Sequence, residues 1–210
     1  DIASGMIPAC KWVKLAVARH MRDLDDATQG RRSDIYFDDN AAQHAIDFYQ
    51  FLKHSKGEWA GQVFVLEPWQ QFVIWVLFGW KRQDGTRRFR TAYLEVARKN
   101  GKTTLLAGIG LYLFYPDGEP GAEIYTAATK RDQARISHGE ATRMVKSSPA
   151  LRRRIGVFKD NLHIIDTACK FEPLGADADS MDGLNVHGAL IDELHAHKDR
   201  RVWDVLETAT

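Results

Sequence analysis

Leu94-Glu95-Val96-Ala97-Arg98-Lys99-Asn100-Gly101-Lys102-Thr103-Thr104 decides how the chain is read. Thr91 to Val96 reads as a strand leading into it, and Lys102 to Phe114 as a helix leading out. A glycine-lysine-threonine turn in that setting suits an anion, because the first amides of the helix and its dipole face the turn. Gly101 lets the backbone approach closely, Lys102 can reach the β and γ phosphates of a nucleotide, and the Thr103 hydroxyl can ligate magnesium. The full phosphate-loop pattern is G-x-x-x-x-G-K-[ST], and Val96 stands where its leading glycine belongs. Taken alone, the tripeptide is a weak signal that its setting strengthens, and a helix N-terminus with an exposed lysine is the plainer alternative.

Downstream, short apolar runs alternate with helical patterns. Ala122 to Ala127 reads as a strand, Arg131 to Val145 as a helix, and Leu162 to Ile165 with Lys170 to Pro173 as a strand pair or hairpin. Val186 to Ile191 follows as a strand and Arg201 to Glu207 as a short helix. Such alternation predicts an α/β fold with a mostly parallel sheet covered on both faces. The strand Val186-His187-Gly188-Ala189-Leu190-Ile191 ends in Asp192-Glu193. This puts two carboxylates at the carboxyl edge of the sheet, where open α/β folds bind ligands. Asp192 would hold a magnesium ion or its water, and Glu193 would orient and deprotonate an attacking water. Two solvated acids capping the next turn is the plainer alternative.

Upstream the pattern is helical. Cys10 to Leu24 carries an apolar stripe, Asp25 to Asp34 reads as a polar loop, and Asp38 or Asp39 caps a second helix reaching towards Gly57. A third helix follows Pro68 and closes at Gly79. The organisation expected is a helical region over 1–80 packed on an α/β core over 81–210. The 210 residues are 44% apolar and 27% charged, enough for a buried core and unlike a disordered or low-complexity chain. The formal charge of +1 names no partner, so attraction to nucleic acid must come from local clusters. Cys10 and Cys169 match no metal or disulfide spacing. The apolar runs Phe72 to Trp80 and Leu105 to Tyr115 are about half the roughly 20 residues that a membrane crossing needs. A soluble intracellular domain is expected, and the Asp1 start suggests a piece of a longer protein.

The pattern as a whole resembles the N-terminal ATPase domain of the large terminase subunit of tailed double-stranded DNA bacteriophages. Ala97-Arg98-Lys99-Asn100-Gly101-Lys102-Thr103 has the form of that family's loop, which tolerates loss of the first glycine and often holds a basic residue. Ile191-Asp192-Glu193-Leu194-His195-Ala196 resembles its acidic motif. Glu67-Pro68-Trp69-Gln70-Gln71 is similar to its adenine-recognition glutamine, which precedes the loop by about 30 residues. Thr126 to Ala134 matches its strand-to-helix turn, and Thr208-Ala209-Thr210 resembles its coupling motif. The resemblance implies a P-loop NTPase fold of the ASCE type and hydrolysis of ATP with Mg2+ to drive double-stranded DNA into a procapsid. It also implies work in a ring of copies on the portal protein, supplied by a small terminase subunit, in the host cytoplasm. A C-terminal nuclease domain would begin beyond Thr210, and the isolated ATPase domain could be monomeric.

Carried over by position, Arg98, Lys99, Asn100, Gly101, Lys102, Thr103 and Thr104 would cradle the nucleotide, with Gln70 (or Gln71) reading adenine and Trp69 stacking or packing. Arg98 is the candidate for stabilising transition-state charge, with a surface salt bridge as its alternative and Arg131 as a rival. Asp182-Gly183 stands where an arginine acting in trans would be expected. Thr103 and Asp192 would hold the metal. His187, His195 and His197 invite a tetrahedral-site reading that their spacing does not support. The basic clusters Lys81-Arg82, Arg87-Arg88, Arg90, Arg98-Lys99 and Arg152-Arg153-Arg154 suit sequence-independent phosphate contact. Two other functions compete. Asp192-Glu193-Leu194-His195 also resembles the D-E-x-H box of superfamily 2 helicases, and Val96 in the loop motivates a nucleotide-binding module that does not hydrolyse.

Overall fold

Residues 1–128, 131–174, 184–197 and 199–209 are described by a computed structural model of the chain, in which two units separate. The first joins residues 1–47 with 66–94, and the second joins 48–65 with 95–210.

In the first unit, α1 (Lys11–Thr28) runs further than the apolar stripe predicts, taking in Asp25 to Thr28. Those residues stay helical because Asp25 and Asp26 collect Gln29 and Arg31 around the helix end. Glu67 and Gln70 form a reciprocal capping box that opens α3 (Pro68–Gly79), with proline at the start. Between these lie β1 (Ile35–Phe37) and α2 (Asp39–Phe48), and α3 leads into β2 (Trp80–Arg82), which pairs antiparallel with β1. Trp80 is fully buried with Ile35 and Val76, and its indole N–H donates to His20 Nδ1 at 3.0 Å. Asp23, 2% exposed, lies 2.8 Å from Arg88, whose guanidinium stacks over Trp80 and Phe89. That approach lies off the hydrogen-bonding direction, so charge rather than a directed bond holds the pair. Arg88 is thereby taken out of the surface cluster expected for phosphates.

The second unit is built on a five-stranded sheet. β3 (Glu123–Ala127) lies between β6 (Cys169–Leu174) and β7 (Val186–Ile191), parallel to both. β5 (Leu162–Ile164) and β4 (Gly156–Val157) continue beyond β6 as antiparallel strands, giving the order β4-β5-β6-β3-β7. The three longer strands β3, β6 and β7 are thus parallel, and the edge at β4 and β5 is antiparallel because the β5–β6 connection is short enough to be a hairpin. The expected strand at Thr91 to Val96 joins no ladder: it is irregular and largely exposed, and β7 has β3 as its strand neighbour among the described residues. The α4 helix (Lys102–Phe114) and α5 (Arg131–Ser147) pack on one face, and α7 (Arg201–Thr208) covers the other through Val202 and Leu206. A short α6 (Pro149–Arg152) follows α5.

Alternation along β7 decides what each helix meets. Gly188 and Leu190 face α4, while Ala189 and Ile191 join the α7 side. The α4 helix lies very close to the sheet. A Cβ added at Gly110 would sit 2.5 Å from Leu190 Cδ1 and 2.8 Å from Phe171 Cζ. One at Gly108 would sit 2.5 Å from the Tyr49 ring, whose hydroxyl donates to Leu105 O at 3.1 Å. Among the described residues no helix is long and apolar enough to cross a membrane.

Candidate nucleotide site

Asp192 is the next residue on the α4-facing side of β7 after Gly188 and Leu190, so the period of the strand aims its carboxylate at the start of α4. There Lys102 Nζ lies 3.3 Å from Asp192 Oδ1, and the Thr103 hydroxyl donates to Oδ2 at 3.3 Å. Ser137, from α5, donates to the same Oδ2 at 3.3 Å. The Glu193 amide donates to Oδ1 at 2.9 Å. Three elements thus converge on one carboxylate that is 18% exposed.

The loop into α4 is shaped by two left-handed residues, Lys99 (φ 67°) and Gly101 (φ 72°). Glycine reaches that conformation without cost, whereas lysine is strained there by about 1 kcal/mol. The Asn100 side chain folds the loop back on itself, donating to Ala97 O at 3.1 Å and Arg98 O at 3.3 Å. No side chain caps the helix at Gly101, and the turn holding Arg98, Lys99 and Asn100 is exposed. Thr104 sits half-buried in the first turn of α4. Glu193 is also left-handed (φ 52°, ψ 48°), a strain held by Asp192's grip on its amide, and its side chain is exposed.

Thr103, Asp192 and Glu193 line a cavity of about 120 Å³ together with Ala128, Gln133, Ile136 and Ala196. The oxygen donors fit a hard divalent cation such as Mg2+, which takes one or two protein ligands and fills the rest from water and phosphate. Among the described residues no three His, Cys, Asp or Glu side chains gather into a closed metal site. His187 does not turn towards Asp192; its Nε2 lies 2.6 Å from Asp117 Oδ2.

The other expected residues make contacts of their own. Gln70 belongs to the first unit, 2% exposed, with its side-chain carbonyl accepting the Glu67 amide at 2.9 Å. Gln71 donates to Leu66 O at 2.8 Å. The Thr208 hydroxyl donates to Asp204 O and Val205 O at the end of α7, and Ala209 O accepts the Val186 amide at 3.0 Å, tying that end to the base of β7. Thr210, Asp182-Gly183, Thr129 and Lys130 lie outside the described residues. Ser137, Gln133 and Ile136 were missed by sequence reasoning. Gln133 and Ser137 stand four residues apart on α5, a spacing that puts both on one helix face, and that was the signal available.

The chain has known relatives. Residues 68–209 match the family model described as "Terminase large subunit, ATPase domain". The chain belongs to the large terminase family. It is 31% identical over 141 residues to the large terminase subunit of Enterobacteria phage HK97, covering 66% of this chain and 27% of that protein. The crystal structure of the HK97 bacteriophage large terminase superposes with a TM-score of 0.66 at 28% identity, over 80% of this chain and 35% of that one. The fold is thus the P-loop α/β fold of terminase ATPase domains, and the chain spans about a third or less of the relatives it matches.

Proposed function

We propose that this terminase domain binds ATP with Mg2+ and hydrolyses it, as the motor that moves double-stranded DNA into a procapsid in concert with portal and small-subunit partners. The observation carrying this reading is the meeting of Lys102, Thr103 and Asp192 within 3.3 Å at the mouth of the α4 loop. In the proposal Lys102 and the loop amides from Arg98 to Thr104 hold the β and γ phosphates. Thr103 and Asp192 hold the cation, which when bound neutralises developing phosphate charge. Glu193, turned out of the strand by its left-handed backbone, accepts the proton of the attacking water. Arg98 reaches the transferred phosphoryl from the exposed loop. The exposed Arg152, Arg153 and Arg154 side chains supply sequence-independent phosphate contact.

Calorimetry with MgATP and a phosphate-release assay test the proposal together. Lys102→Ala should weaken binding at least tenfold, the scale of one lost charged contact to phosphate. Glu193→Gln should retain affinity within about threefold and lose roughly 100-fold or more in release. Unaltered affinity in Lys102→Ala would place the phosphates elsewhere. Tight binding with equally negligible release by wild type and Glu193→Gln would support a binding module instead.

A further inference from the structure

Ser137 reaches Asp192 from α5. It is 2% exposed and lies in the middle of the helix. A serine at such a place ordinarily faces solvent or bonds the carbonyl one turn back. Here its hydroxyl is turned onto Asp192 Oδ2 at 3.3 Å, level with the Thr103 hydroxyl on the same oxygen. The backbone around it is tightly held. Thr126 Oγ1 donates to Ala134 O at 3.0 Å, His138 Nε2 meets Phe171 O at 2.9 Å, and Ser55 donates to both Glu140 oxygens at 2.7 and 2.8 Å. These anchors lie within one turn on either side of Ser137, so its hydroxyl is presented from a fixed position.

We infer that Ser137 is a positioning residue for the divalent cation, fixing the orientation of the Asp192 carboxylate through Oδ2. The inference rests on the reading that Asp192 serves Mg2+. The torsion that rotates a carboxylate about its Cβ–Cγ bond is broad and roughly two-fold, so orientation must come from neighbours. On the Oδ1 side the Glu193 amide and Lys102 supply it. On the Oδ2 side a hydroxyl that ligates a cation through a lone pair can still donate its proton, so the Thr103 bond is compatible with metal binding. At 3.3 Å that bond is long for O–H···O, and Ser137 supplies a second donor of equal length. Removal of Ser137 leaves Oδ2 with one long bond and the carboxylate held chiefly from its Oδ1 side. The consequence falls on the cation rather than on the nucleotide.

The test is calorimetric titration of the chain with a non-hydrolysable ATP analogue across a Mg2+ series and in EDTA, for wild type, Ser137→Ala, Ser137→Thr and Asp192→Ala. Ser137→Ala is expected to bind the analogue in EDTA as wild type does, and to need about tenfold more Mg2+ for half of the Mg2+-dependent gain, the scale of one hydrogen bond to a charged group. Ser137→Thr, which restores the hydroxyl, should return to within about threefold of wild type. Ser137→Cys, which keeps the bulk and weakens the donor, should repeat the Ser137→Ala result if the alanine protein proves too unstable to titrate. A Mg2+ dependence unchanged in Ser137→Ala, alongside its loss in Asp192→Ala, would overturn the inference and leave the Asp192 reading standing. An equal fall in affinity with and without Mg2+ would also overturn it, by showing a purely structural role. Mg2+ dependence intact in Asp192→Ala would bring down the Asp192 reading itself, and the inference with it.

Discussion

Gly110→Ala is the substitution that most directly asks whether the close seating of α4 on the sheet sets the candidate site. The added methyl would meet Leu190 Cδ1 at 2.5 Å and Phe171 Cζ at 2.8 Å, where carbon atoms prefer about 3.5–4.0 Å. One or both partners, or the helix itself, must move by about 1 Å. The leucine end can swing, but Phe171 is fully buried against Phe114 and His138, so part of the strain goes into the backbone. Overpacking of this kind costs about 1–3 kcal/mol, and alanine's better helix propensity returns about 1 kcal/mol. The net loss of stability should thus be no more than about 2 kcal/mol. The effect on chemistry should be disproportionate. Lys102 and Thr103 ride on the same helix, and Asp192 lies two residues beyond Leu190, so a shift of about 1 Å falls on contacts that are only 3.3 Å long. Misplacement on that scale costs roughly 100-fold in rate. Urea denaturation and phosphate release, measured on the same preparations, give both numbers. Wild-type release from a Gly110→Ala protein of wild-type stability would refute the reasoning, because it would mean that the helix and strand accommodate a methyl group without disturbing the site.

Three further outcomes are expected. Burial holds the His138 imidazole below its ordinary pKa, so the unfolded chain takes up protons more readily than the folded one below about pH 6.5. Stability is then fully present above that pH and falls as the solution is acidified, with His20, lowered by the same cause, adding to the slope. Thermal melts from pH 7.5 to 5.5 should show the fall, and His138→Gln should flatten it. Arg88→Ala strips Asp23 of its 2.8 Å partner at a site where the carboxylate is 3% exposed. It should destabilise the protein by about 3 kcal/mol in chemical denaturation. Tyr49→Phe removes one buried hydrogen bond to Leu105 O and should cost about 1 kcal/mol in the same assay, without altering nucleotide affinity in calorimetry.

The legible parts of the fold were those fixed by local chemistry. Lys102 to Phe114 could be bounded in advance because Gly101 opens it and Tyr115-Pro116 follows it, and Val186 to Ile191 because an apolar run ends abruptly in two acids. The meeting of Lys102 with Asp192 could be anticipated from the order of those two motifs alone. Thr91 to Val96 could not be settled in this way, since strand propensity says nothing about whether a neighbour offers a ladder. β1 and β2 escaped notice because each is three residues long and their pairing is held by the packing of Phe37 and Trp80. The Gln70 side chain could be marked as a candidate ligand, but the same glutamine three residues after Glu67 is also the second half of a capping box, and the sequence carries both meanings. Ser137 was hidden for a different reason: it matters through a carboxylate 55 residues away, and nothing local distinguishes it from other polar residues of α5.

The left-handed backbone at Glu193 frees the two acids from the two-sided geometry of a pleated strand. Had β7 run on straight, Asp192 and Glu193 would point to opposite faces, one towards α4 and the other towards α7. The kink lets adjacent side chains be aimed separately, so the motif behaves as two independent instruments on one pivot. Exchanging them, Asp192→Glu with Glu193→Asp, would therefore be no neutral transposition: it would set the longer arm where the pocket demands the shorter, and leave the outer position without reach.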